Sequence, residues 1–289
     1  MNVLVTGATG QLGSEIRGVS KRKRVHNFFF ETSIDLDITN VLLVEKYIVK
    51  NKIELVINCA AYTFVDKAEK EYVKSFDVNA LGVHNLVLAL EKVNGKIIHI
   101  STDYVFNGES FIPYNESQEV RPVGVYGETK RVGEEYVLSS SIEGVVIRTS
   151  WLYSSFGSNF VKTMLHLGKE RDKLGVVFDQ IGSPTYARDL AELCVSLLDI
   201  EKIDLNSKLY HYSNEGVASW YDFAIAIMEM ADIKCNVYPI ETKEYPTPAK
   251  RPNYSLMNKA KIKKDFNIDI PYWRNSLKEC IKELQKEKK

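Results

Sequence analysis

The chain has 289 residues, 45% of them hydrophobic and 26% charged, with 38 basic against 38 acidic side chains. That length holds one large α/β domain, or a large one with a smaller companion. Zero net charge leaves no field that would draw the chain to nucleic acid or to an acidic membrane surface. No apolar run reaches bilayer-spanning length, so no membrane association is expected.

The chain opens on Asn2–Gly13, NVLVTGATGQLG. Val3, Leu4 and Val5 suit one buried strand, and residues from Gln11 to Ile16 allow a helix directly after it. A strand turning into a helix through glycines leaves the first helical N–H groups unpaired at the positive end of the helix dipole, an arrangement suited to a pyrophosphate. Gly7 permits the tight turn, Gly10 the approach of phosphate oxygens, and Gly13 close helix–sheet packing. The basic run Lys21-Arg22-Lys23-Arg24 reads as a solvated helix end. Val25–Phe30 is a second strand, ending at Glu31. Asp35–Thr39 is a loop, and Thr39 or Asn40 caps a helix over Val41–Lys50. Ile53–Cys59 is a third strand, followed by one long or two short helices over Asp66–Lys92. Lys96–Ile100 is a fourth strand, Asn107–Pro122 a loop, Tyr126–Ser139 a helix, and Val145–Thr149 a fifth strand.

This alternation predicts an α/β fold, a doubly wound parallel sheet of Rossmann type, with ligands at the C-terminal strand ends. Residues 1–150 are expected to form a dinucleotide-binding domain, and residues 151–289 a smaller substrate-binding lobe with segments returning to the sheet. Within the lobe, Asn159–Gly168, Arg188–Leu198 and Trp273–Lys286 read as helices and Val176–Phe178 as a strand. Ser219 caps a helix over Trp220–Ala231. Glu241–Pro252, with Pro246, Pro248 and Pro252, is an extended loop. The four cysteines lack C-x-x-C spacing and the chain opens on a strand, so a reducing, cytoplasmic setting is expected. The five histidines show no paired spacing, so no metal centre is expected. Glu15 and Asp189 read as exposed surface acids.

Chemistry concentrates at the strand ends, in Ala60-Ala61-Tyr62-Thr63, Ser101-Thr102-Asp103-Tyr104 and Ser150-Trp151-Leu152-Tyr153. Tyr126 and Lys130 stand four residues apart, on one face of a helix. A phenol titrates near 10 and works as an acid–base at neutral pH only with a cation nearby, which an ammonium one turn away supplies.

Taken together, GATGQLG, Asn79 in DVNALG, STDYVF at 101–106, YGETK at 126–130 and RTSWLY at 148–153 resemble the extended short-chain dehydrogenases/reductases. NCAAYTFVDKAE at 58–69 and KRPNYSLMN at 250–258 place the resemblance in the dTDP-4-dehydrorhamnose reductase branch. The resemblance implies reduction of the C4 keto group of a dTDP-sugar by a nicotinamide cofactor. It implies that Gly10, Gln11 and Leu12 hold the pyrophosphate, that Asp37 and Ile38 flank the adenine, and that Ala61, Tyr62 and Thr63 line the path to the nicotinamide. It makes Tyr126 the proton donor, aided by Thr102, and has Lys130 bond the nicotinamide ribose and lower the Tyr126 pKa. Thr102 and Asp103 hold the sugar and Trp151 walls it. Gln180, Arg251 and Ser255 attend the nucleotide-diphosphate end, and Asn79 orders the helix of the proton relay.

Tyr104 stands where related 4,6-dehydratases carry an acid, which argues against dehydration. A nucleotide-sugar 4-epimerase shares the Tyr/Lys pair, and a non-catalytic regulatory subunit of the methionine adenosyltransferase type keeps the fold, so both stay open at this point. Glu31 would bond a ribose 2′-hydroxyl and repel a 2′-phosphate, which favours NADH with NADPH tolerated. A homodimer is compatible with the sequence.

Overall fold

Val3, Leu4 and Val5 are all fully buried, and their alternation shows how the central sheet is covered. Val3 and Val5 point to one face and Leu4 to the other, so both faces are packed and the strand reads as one apolar run. The computed structural model describes residues 1–22, 25–199 and 209–286. Its first half contains β1 (Asn2–Thr6), α1 (Gln11–Ser20), β2 (Asn27–Glu31), α2 (Val41–Lys50), β3 (Leu55–Asn58), α3 (Val65–Ala68), α4 (Tyr72–Phe76), α5 (Gly82–Glu91), β4 (Lys96–Thr102), α6 (Val125–Leu138) and β5 (Glu143–Thr149). There follow β6 (Leu152–Tyr153), α7 (Phe160–Glu170), β7 (Lys173–Val177), β8 (Ile181–Gly182), β9 (Thr185–Tyr186), α8 (Ala187–Ser196) and β10 (Leu209–His211). The chain closes with β11 (Ala218–Ser219), α9 (Trp220–Ala231), β12 (Asn236–Ile240), α10 (Ala260–Phe266) and α11 (Trp273–Lys286).

Six strands pair in the order β10-β5-β4-β3-β1-β2, every pair parallel. On one face Val3, Val5, Leu55, Ile57, Ile98, Val145 and Ile147 meet α1 and α8. On the other, Leu4, Val56, Ile97 and Val146 meet α2, α5 and α6. A second core gathers Val161, Met164, Leu174, Val176, Phe223, Ile227, Val237, Leu277 and Ile281 from α7, the β7–β12 pair, α9 and α11. The expected doubly wound parallel sheet is what forms, with a second, smaller core beside it; β10 pairs with β5 and α8 packs on α1.

Several boundaries move. The second strand starts at Asn27, because Val25 is exposed. Asn40 rather than Thr39 caps α2, its side chain accepting from Leu43 N at 3.1 Å. Ser219 caps α9 with Asp222 in a reciprocal capping box. The helical stretch 66–92 breaks into α3, α4, a π-helical segment at Asp77–Leu81 and α5. That segment turns Asn79 inward, where its amide bonds Tyr62 N at 2.8 Å, Tyr62 O at 3.1 Å and Thr129 Oγ1 at 3.1 Å. The proline-dense loop holds one short 3₁₀ turn at Thr242–Glu244.

Glu15 is not a surface acid. It is 1% exposed and accepts from Ser154 Oγ at 2.6 Å and Arg188 Nε at 3.1 Å. Asp189 is half-buried and accepts from Asn214 and Ser276. Of the basic run, Lys23 and Arg24 lie outside the described residues, and Arg22 pairs with Glu192 at the surface. Among the described residues no group of three or more His, Cys, Asp or Glu could hold a metal ion, and no helix is long and apolar enough to cross a membrane.

Candidate active site

β1 ends between β2 and β3, at the point where strand order reverses and open α/β sheets form their ligand crevice. Gly7 leaves the strand at φ +62°, and a Cβ there would lie 2.7 Å from Ala60 N. A Cβ on Gly13 would lie 2.5 Å from Gly7 O, so the turn closes only with glycine at both places. Gly10 is the N-cap of α1 and brings no side chain over the helix's first N–H groups. The Leu12 side chain goes into the core. The Gln11 amide reaches the lobe, accepting from Asn159 Nδ2 at 2.9 Å and donating to Leu152 O at 3.4 Å.

Glu31 ends β2 in register with Thr6 and accepts the Tyr47 hydroxyl at 2.5 Å. Asp37 accepts from the backbone and hydroxyl of Thr39, and Ile38 is buried against Gly82. Tyr62 is fixed by Asn79 at its backbone and donates its hydroxyl to Glu71 at 3.0 Å, beside half-buried Ala61 and exposed Thr63.

Thr102 ends β4, and Tyr126 lies in the first turn of α6 with its phenol in hydrogen-bonding reach of the Thr102 hydroxyl. The Tyr104 ring meets the Tyr126 ring edge-on at 5.5 Å. Burial pushes Tyr126 up to about 12, against the pull of Thr102. A phenol at that value is protonated at neutral pH, the form that can give a proton away.

Lys130 takes partners that its spacing alone did not foretell. It is 1% exposed and runs beneath α6, donating to Ile100 O at 2.7 Å with His99 Nε2 at 3.4 Å. Burial brings its ammonium down to about 8, against the opposing charges of Glu134 and Cys59. Spacing four placed both residues on one helical face, but the long lysine stem follows that face down to a strand carbonyl.

Beyond Thr102, Asp103 is buried and pushed up to about 6 by burial, with hydrogen bonds from Ser255 and Thr102 opposing. Its Oδ2 is buried with no close hydrogen-bond partner, which leaves an acceptor open at this spot. Ser255 is held by Ile181, its N–H donating to Ile181 O at 2.7 Å. Trp151 adopts φ +49° and stacks on Trp220 with ring centres 3.7 Å apart. Gly182 separates Trp151 from Ser255, and a Cβ there would lie 2.8 and 2.7 Å from them. Gln180 is buried and donates to Thr242 Oγ1 at 3.2 Å. Arg251 forks onto Asp66 at 2.7 and 3.2 Å, and Ala249 N donates to the same carboxylate at 3.1 Å. This fork holds Asp66 below the usual carboxylate range.

The structure thus gathers Thr102, Asp103, Tyr126 and Ser255, sets Trp151 beside them, and places Gln180 and Arg251 on the flanking loops. Sequence reasoning missed Asp66, Trp220 and the buried row Thr6, Asn58 and His99. The one available signal for that row was a polar residue at or near the end of three successive apolar strands.

A family model described as the RmlD substrate binding domain matches residues 1–286. A dTDP-4-dehydrorhamnose reductase of Aggregatibacter actinomycetemcomitans is 41% identical over 286 residues, 96% of this chain and 97% of the relative. The crystal structure of a dTDP-4-dehydrorhamnose reductase from Clostridium acetobutylicum ATCC 824 is similar with a TM-score of 0.94 and 44% identity, covering 99% of this chain and 100% of that one. The dTDP-4-dehydrorhamnose reductase of Bacillus anthracis str. Ames, solved in complex with NADP, has a TM-score of 0.92 and 38% identity, covering 98% and 99%.

Proposed function

Because the chain belongs to the RmlD substrate-binding-domain family, among the dTDP-4-dehydrorhamnose reductases, we infer that it reduces the C4 keto group of dTDP-4-dehydro-L-rhamnose to give dTDP-L-rhamnose. The observation that carries the chemistry is the protonated Tyr126 phenol in reach of the Thr102 hydroxyl at the end of β4.

The cradle that only Gly7 and Gly13 permit fits a dinucleotide pyrophosphate, received by Gly7, Gly10 and the first N–H groups of Gln11 and Leu12. The bound nicotinamide supplies a hydride. Asp37 and Ile38 flank the adenine, Glu31 takes the ribose, and Ala61, Tyr62 and Thr63 line the way to the reaction centre, where Lys130 bonds the second ribose. Tyr126 gives its proton to the C4 oxygen as charge develops there, and Thr102 donates to the same oxygen. Thr102 and Asp103 hold the sugar hydroxyls and Trp151 covers an apolar face of the ring. Ser255, Gln180 and Arg251 attend the nucleotide-diphosphate end, where the Arg251 fork suits paired phosphate oxygens. In this reading residues 1–150 carry the cofactor and the lobe carries the sugar. The carboxylate of Glu31 beside the glycine turn favours NADH over NADPH, which brings a further charge to that spot.

Neither epimerase nor regulatory-subunit chemistry is favoured by the relatives. The test follows NAD(P)H consumption with dTDP-4-dehydro-L-rhamnose and with UDP-galactose. The expected result is stoichiometric oxidation with the keto sugar alone. Turnover without net oxidation, or none with either sugar, would overturn the reading.

A further inference from the structure

Tyr126 stands in the first turn of α6, the part of a helix that frays most readily. Glu128 N–H makes the first bond of that helix, to Gly124 O at 3.1 Å. The N–H groups of Val125, Tyr126 and Gly127 therefore have no partner inside the helix. Gly124, the N-cap, carries no side chain to offer them. The cap comes instead from 56 residues earlier, where Glu69 Oε1 accepts from Val125 N at 2.9 Å.

Two glycines make room for this arrangement. A Cβ on Gly124 would lie 2.8 Å from Glu69 Oε1, against the carboxylate itself. A Cβ on Gly127 would lie 2.1 Å from Tyr104 O, so the turn rests directly on the backbone just beyond Thr102. The turn that carries Tyr126 is thus bounded by Tyr104 at one contact and by Glu69 at the other. Glu69 is itself presented from an anchored segment. It follows α3, whose Ala68 is fully buried and whose Asp66 is paired with Arg251. Its side chain is exposed, and Arg131, on the same cleft, pairs with Glu135. The carboxylate is left to the helix, whose positive end favours it.

We propose that Glu69 is a positioning residue: by capping α6 it holds the Tyr126 phenol within reach of the Thr102 hydroxyl. It acts through the helix and touches neither sugar nor cofactor. A cap of this kind is worth about five-fold in the closed population of a helix's first turn. A misplaced proton donor loses rate in the transition state and leaves ground-state binding untouched. The inference rests on the reading of Tyr126 as the proton donor.

The experiment compares Glu69→Ala, which removes the acceptor, with Glu69→Gln, whose amide oxygen still accepts from Val125. Both changes fall on an exposed side chain and leave the core intact. In the full chain, amide exchange followed by NMR should be about five-fold faster at Val125 and Glu128 in Glu69→Ala. In Glu69→Gln it should stay within about two-fold of the wild type. With NAD(P)H and dTDP-4-dehydro-L-rhamnose, kcat should fall about 3–10-fold in Glu69→Ala at unchanged KM for the sugar, and Glu69→Gln should restore it. In a Tyr126→Phe background, Glu69→Ala should lower kcat no further. Unchanged exchange or unchanged kcat in Glu69→Ala would overturn the proposal. So would an equal loss in the Tyr126→Phe background, which would make the effect a general loosening of the fold. The exchange needs no substrate or cofactor, so it separates a failed cap from a failed reductase reading.

Discussion

Lys130→Met should stabilise the protein near neutral pH while removing its activity. The ammonium falls from 10.5 to about 8 on burial, and each unit is worth about 1.4 kcal/mol, so keeping the charge below about pH 8 costs the fold about 3 kcal/mol. Methionine avoids that cost but leaves the Ile100 carbonyl without its donor, a loss of about 1–2 kcal/mol. The net gain at neutral pH is therefore about 1–2 kcal/mol. Because the folded-state value is depressed, the unfolded chain binds the proton more tightly between about 8 and 10.5, and the wild type regains stability as pH rises through that window. Urea unfolding of both proteins should show the advantage of the variant shrinking by about 2 kcal/mol between about pH 7 and pH 9.5. A difference that stays constant over this range, or a variant less stable at pH 7, refutes the account of Lys130.

Tyr126→Phe should lower turnover by about 10²–10⁴, the worth of a positioned acid, with stability changed by about 1 kcal/mol or less because the ring still packs on Tyr104. Asp66→Asn should release Arg251 and the 249–253 loop, raising KM for the nucleotide sugar. Its stability cost is about 1 kcal/mol at most, since both side chains are partly exposed. The Asp66 value is depressed, so that contribution is present at neutral pH and fades as pH falls through the carboxylate range, which acid titration of unfolding checks. Glu31→Gln should move the NADPH-to-NADH ratio of kcat/KM toward NADPH, and an unchanged ratio removes Glu31 from cofactor choice. Trp220→Ala should free the Trp151 indole and raise KM for the sugar more than it lowers kcat, as steady-state kinetics would show.

The sheet was legible because both its faces are covered, so each main strand reads as an apolar run. β10 was not, since Leu209-Tyr210-His211 is three residues long and gains its place only by lying along β5. The candidate site was legible wherever function depends on local spacing, as with the glycine turn or Tyr126 at the head of its helix. It was illegible where a polar group is decided by a distant one. Glu15 reads as a surface acid until Ser154 and Arg188 fold over it. Arg251 was read as a group for the diphosphate, and nothing near it in the chain foretold that Asp66, far earlier, takes its fork. Lys130 was placed on the correct face, but its bond to the Ile100 carbonyl could not be read, because periodicity locates a Cβ and says nothing of where a long stem ends.

The return of β10 and α8 to the first sheet limits how the chain can be divided. A piece ending near residue 150 would leave the hydrogen-bonding edge of β5 open and strip α8 from α1, baring Leu12, Ile16 and Val19 to water. Such a piece would self-associate through its open strand. The first 150 residues must wait for some sixty more before the last strand of their sheet arrives, which makes this an assembly that closes late.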